Sequence, residues 1–140
     1  MKDFVGVKWT CSEHAAKVYD LRYVRCLAGV DKVVTWQDTI GDGGNSGFKA
    51  LNLAINLGAR RIALVGFDMM GRHWHAEHED PLGNPSVDNL ARWRRVIDGA
   101  ASSIAAMGVT VINCSTISAL TAFPIHPLSE AVRCQPGPGS

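Results

Sequence analysis

No apolar run in the 140 residues reaches the roughly 18 that a membrane-crossing helix needs. The N-terminus lacks the basic, apolar and small-residue regions of a secretory signal. Neither sign of charge is in excess: 14 Lys and Arg stand against 13 Asp and Glu, a formal net charge of +1. That leaves no electrostatic footprint for non-specific nucleic-acid binding, so neither a nucleic-acid nor a membrane partner is expected. Cys11, Cys26, Cys114 and Cys134 are scattered with no CxxC pair, which argues against a disulfide framework or a zinc knuckle. Reduced thiols in a cytoplasmic protein, several of them buried, are the expectation. Also missing is a glycine-rich turn after a first strand near the N-terminus. That is where doubly wound nucleotide-binding domains usually begin their grip on phosphate.

What remains is ordinary core-forming material, 46% hydrophobic with a mean hydropathy of +0.03. The length suits one domain, expected over residues 1–126, with 127–140 as a flexible tail. Residues 4–10 read as a short opening strand or loop. Ser12 can cap a helix over 13–19, with Glu13 in its first turn. LRYVRCL (21–27) alternates enough for a strand, and DKVVTWQ (31–37) is another extended run. TIGDGGNSG reads as a loop. The spacing of Phe48, Leu51, Leu53, Ala54, Ile55 and Leu57 predicts a buried helix over 47–58, closed by Gly58. IALVGF (62–67) is apolar at consecutive positions, as in a central parallel strand covered on both faces. A polar loop with Gly71, Pro81, Gly83 and Pro85 fills 69–86. A helix over 87–107 and a strand over 109–115 complete the order. Right-handed crossovers then predict a small three-layer α/β/α sandwich, Rossmann-like, with a mostly parallel sheet truncated in its N-terminal half.

The chemistry concentrates in residues 44–68. Gly44, Asn45, Ser46 and Gly47 precede a buried helix, where free N–H groups and the helix dipole attract phosphate. Gly66, Phe67 and Asp68 end the following strand, where open α/β sheets place ligands. The two stretches are expected to share a pocket. Asn45 and Ser46 can equally be plain helix caps, and Asp68 a plain strand-end acid. The next loop carries His73, His75 and His78, three of the five histidines. They can contact a ligand, and one can act as a general base near neutral pH. Together with Asp68 they can also ligate a divalent metal, or they can line an exposed loop that binds nothing. Trp74 between them can stack on a base. Arg92, Arg94 and Arg95 read as a solvated helix face rather than a phosphate clamp.

Residues 43–68, GGNSGFKALNLAINLGARRIALVGFD, resemble two families. One is the bacterial sialyltransferases that use CMP-sialic acid. The other is a set of Rossmann-like bacterial and phage proteins related to a pterin diphosphokinase. Both have a Ser-Gly loop, such a helix, Leu-Gly, a basic turn and a strand ending in Gly-x-Asp. Phage proteins of unassigned function look closest over residues 7–124, including WTCSEHA and GGNSGF. The upstream Gly-x-Gly-Pro-Ser-like turn of these relatives has no counterpart here. The resemblance implies nucleotide contacts at Asn45, Ser46, Gly66, Phe67 and Asp68, with His78 as the nearest match to a catalytic base. Two functions follow as expectations. One is a domain that binds, and so sequesters, a nucleotide or similar phosphorylated signal. The other is a glycosyltransferase-like enzyme using a nucleotide sugar. No cofactor is expected beyond that ligand. The absent upstream strand would leave an open sheet edge, so a homo-oligomer is expected.

Overall fold

A computed structural model describes residues 4–70 and 84–133. The described chain is mixed α/β, and every strand pairing in it is parallel. Its strands are β1 (Trp9–Thr10), β2 (Arg22–Tyr23), β3 (Arg25–Leu27), β4 (Thr39–Gly41), β5 (Arg61–Leu64) and β6 (Thr110–Asn113). Its helices are α1 (Glu13–Tyr19), α2 (Ser46–Asn56), α3 (Val87–Gly99), α4 (Ala101–Ala106) and α5 (Leu128–Ala131). No described helix is long and apolar enough to cross a membrane.

Local signals set the first elements. Ser12 Oγ accepts from Ala15 N at 3.2 Å and starts α1 where the sequence places it. The 21–27 run forms one extended segment divided at Val24, which is 2% exposed. Its first half pairs with β1, and its second half pairs with β4. The strand expected over 31–37 does not form; β4 forms at 39–41, inside the stretch that reads as a loop.

The edges of β4 explain its position. Arg25 N donates to Asp38 O, so by alternation Asp38 and Ile40 turn toward β3, and Thr39 and Gly41 toward the opposite edge. That opposite edge meets helix side chains instead of a strand. Asn56 Nδ2 donates to Thr39 O at 2.8 Å, and Gly41 N donates to Asn52 Oδ1 at 2.8 Å. Asn52 also brackets Val34, accepting from its N at 2.9 Å and donating to its O at 2.8 Å. Two asparagines one turn apart on α2 thus satisfy backbone groups that another strand would otherwise take. The ladders accordingly come in three separate pairs.

Phe48 and Leu51 of α2, Val96, Ile97 and Ala100 at α3, Ile104 of α4, Leu64 of β5 and Val111 of β6 share one buried cluster. Leu64 points into it, whereas Arg61, Ala63 and Val65 are exposed, Val65 by 57%. The 62–67 run is therefore covered on one face only, and its unbroken apolar character overstates its burial. The helix expected over 87–107 is interrupted at Ala100, which caps both α3 and α4. Gly99, a poor helix former, stands beside the break. After β6, Ile125 makes an isolated bridge to Asn113. The one-turn α5 lies within the stretch that the sequence assigns to a tail.

Candidate functional site

The turn from β4 into α2 is made by Gly43 at φ 56° and Gly44 at φ 71°. Both lie in the left-handed region that glycine enters without steric penalty. Asn45 then caps α2. Its Oδ1 accepts from Phe48 N at 2.8 Å, and its Nδ2 donates to Gly43 O at 3.1 Å. Among the described residues, none accepts a hydrogen bond from the N–H groups of Gly44, Asn45, Ser46 or Gly47. Ser46 is exposed, and its three neighbours are half-buried. Four donors at the positive end of a three-turn helix are thus open to an acceptor. Asn45 is indeed the cap, and the capping bond consumes Phe48 N rather than these four.

The end of β5 comes to the same place. A Cβ added at Gly47 would lie 2.9 Å from two ring carbons of Phe67, so this ring rests on the glycine. The segment after β6 pins the Phe67 backbone. Phe67 N donates to Ser115 Oγ at 2.8 Å, Ser118 Oγ donates to Phe67 O, and Ala119 N donates to Asp68 O at 2.8 Å. Loop 44–47 and strand end 66–68 therefore meet, with Phe67 as the contact. Asp68 is exposed, and its carboxylate has no partner among the described residues.

Helix α3 covers the glycine turn from the other side. A Cβ at Gly44 would lie 3.2 Å from Arg92 Cζ, from Arg92 Nη1 and from Trp93 Nε1. Asp31 holds the guanidinium side-on, with Nη2 2.8 Å from Oδ1 and Nε 3.2 Å from Oδ2. This leaves Nη1 beside Gly44. Asp31 also raises the guanidinium pKa, so Arg92 stays charged. Arg92 is thus solvated, as the sequence suggests, and is also held at the loop by Asp31. Asp31 and Arg92 are 61 residues apart, and no local pattern links them.

Beneath the loop, Lys49 Nζ lies 2.9 Å from Asp42 Oδ1, and Cys26 Sγ lies 3.8 Å from the same oxygen. The Lys49 ammonium holds the Asp42 carboxyl below its usual 3.8, and Asp42 holds Lys49 above its usual 10.5. Burial pushes the Cys26 thiol up, with Lys49 partly opposing it. Cys26 is therefore not an activated nucleophile.

The pair sets a pH dependence. The lowered Asp42 pKa contributes stability above pH 3.8 that is lost as pH falls through the folded value. The raised Lys49 pKa contributes stability below pH 10.5 that is lost as pH rises through the folded value. These are two views of one bond, worth about 0.5–1 kcal/mol for a pair this accessible. Lys49→Met is expected to lower Tm near pH 7, with the difference from wild type shrinking toward both extremes. Thermal melts across pH check this; a constant difference would show that the aliphatic stem, not the charge, matters.

His73, His75, His78 and Trp74 lie outside the described residues. Among the described residues, no group of three His, Cys, Asp or Glu side chains can hold a metal ion. No protein-family model, curated protein or solved structure matches the chain.

Proposed function

We propose that this chain is a Rossmann-like, three-layered α/β domain that binds a nucleotide or similar phosphorylated ligand at the N-terminus of α2. The observation that carries this reading is the row of four unaccepted N–H groups at Gly44–Gly47 with Arg92 Nη1 beside it. Backbone donors at a helix start suit the spread charge of a phosphate, and a guanidinium adds charge-assisted bonds. Phe67 and Trp93, on either side of the turn, offer apolar walls to a base or sugar. Asp68 at the strand end is an acceptor for a sugar hydroxyl. Every group in this set can serve binding: backbone donors, a guanidinium, two aromatic rings and one acceptor. Binding, with sequestration of a nucleotide signal as its use, is the function that these groups support best.

Calorimetric titration with ATP, CMP and inorganic diphosphate tests the reading. Ser46→Trp fills the exposed mouth of the loop and is expected to abolish binding while the melting curve stays that of a folded protein. Arg92→Met is expected to weaken binding about tenfold or more, because a hydrogen bond to a charged group contributes about 1.5–3 kcal/mol. If wild type binds none of the three probes, or Ser46→Trp binds them unchanged, the site is not here.

A further inference from the structure

A second concave site lies at the other end of α2. Trp9, Val24, Trp36, Asp38, Leu53 and Leu57 line an open cavity of about 120 Å³. Its nearest helical lining residue, Leu53, stands seven residues beyond Ser46, about 10 Å along α2 at the rise of an α-helix. It therefore does not belong to the phosphate site.

Its lining selects for positive charge in three independent ways. Trp9 and Trp36 supply aromatic faces, and indole attracts cations more strongly than any other side-chain ring. The Arg22 guanidinium already lies 5.6 Å from the Trp9 ring centre, so Trp36 is the indole left to an incoming cation. Asp38 supplies a carboxylate with no partner among the described residues. It stands at φ 54°, in the left-handed region that aspartate and asparagine enter more readily than other non-glycine residues. The last turn of α2 supplies the negative end of the helix dipole. Among the described residues, nothing donates to the carbonyls of Asn56 and Leu57 in that turn. Trp36 is 67% exposed and Leu57 61% exposed, an apolar surface open to solvent next to an acid. Leu53 and Val24 add the apolar floor that a methylated ammonium prefers to a hydrated metal ion.

We infer that this cavity binds an organic cation with an alkylated ammonium head, supplied either by a small free amine or by a methylated lysine of another protein. The trimethylammonium spreads one charge over methyl groups, so it meets indole faces without losing strong hydrogen bonds to water. Asp38 neutralises the charge at the rim. The site differs from the phosphate site in ligand sign, and the two occupy opposite ends of the same helix.

The test is titration of wild type at constant ionic strength, followed by tryptophan fluorescence. The probes are choline, its neutral isostere with a tert-butyl group replacing the trimethylammonium, and a peptide bearing trimethyllysine. Choline is expected to bind saturably and at least about fivefold more tightly than the neutral isostere. Trp36→Ala and Asp38→Asn are each expected to weaken it several-fold with an unchanged melting temperature. Trp36 is largely exposed, and asparagine tolerates the left-handed backbone at position 38. A peptide at least about tenfold tighter than choline assigns the cation to a protein side chain; comparable affinities assign it to a free amine. Absence of saturable binding by both ammonium probes, or equal binding of the neutral isostere, overturns the inference.

Discussion

Asn52→Leu is expected to lower the free energy of unfolding by about 3–5 kcal/mol, more than a typical single substitution. Asn52 is fully buried, and its side chain makes three short bonds to backbone, at Val34 N, Gly41 N and Val34 O. Leucine has asparagine's branching and number of side-chain heavy atoms but is bulkier, so no cavity forms and the loss is polar with some overpacking. Each buried group left unpaired costs about 1–3 kcal/mol. The sum is reduced because burying the asparagine amide carries its own desolvation cost, which leucine does not. The comparison that isolates this is Asn56→Leu. Asn56 is half-buried and bonds one strand carbonyl, Thr39 O, so about 1 kcal/mol is expected there. Urea unfolding of both variants checks the ordering. A loss below about 1 kcal/mol for Asn52→Leu would mean that water reaches the edge of β4 and replaces the amide.

The same asparagine marks the limit of what the sequence discloses. Helix starts are local events. Ser12 before Glu13, Asn45 before Phe48 and Ser86 before Val87 each place a side-chain oxygen where the first free N–H groups are, and α1, α2 and α3 begin there. In the second half, β5 was legible from the unbroken apolar run 62–67, and β6 from Val109, Val111 and Ile112 following the Gly108 that closes a helix. Strand β4 was not. Its three residues, Thr39, Ile40 and Gly41, look like a turn, and their burial comes from β3 on one edge and α2 on the other. Val33 and Val34 lent the preceding stretch a strand-like look, yet the Val34 backbone is held by Asn52 instead of a ladder. The one local clue was two asparagines four apart on an otherwise apolar helix face, polar groups that a buried stripe keeps only when they have partners. At the candidate site, the glycine loop and its helix were legible. The guanidinium beside the loop was not, because its position depends on Asp31 from a distant part of the chain.

Gly43→Ala is expected to cost about 2–5 kcal/mol in stability and to abolish ligand binding at the loop. Two effects combine. The residue sits at φ 56°, where a side chain adds about 1–2 kcal/mol of backbone strain. The new methyl would also overlap Cδ1 and Cγ of Phe48. Phe48 is wholly buried in one cluster with Leu51, Leu64 and Ile97, so either its ring or the turn must shift. Overpacking of this kind adds about 1–3 kcal/mol. Gly108→Ala separates the two effects. Gly108 has a similar φ of 73°, but nothing lies within 4 Å of an added Cβ, so only the strain of about 1–2 kcal/mol applies. The loss of binding follows from the same movement. Phe48 N is the donor that Asn45 caps, so pushing Phe48 and Gly43 apart misaligns the four N–H groups between them. Denaturation curves of the two variants, with calorimetry at a temperature where both are folded, give the answer. Equal stability losses would place the whole cost in the backbone conformation. Wild-type ligand affinity in Gly43→Ala would mean that the loop does not need its present shape to bind.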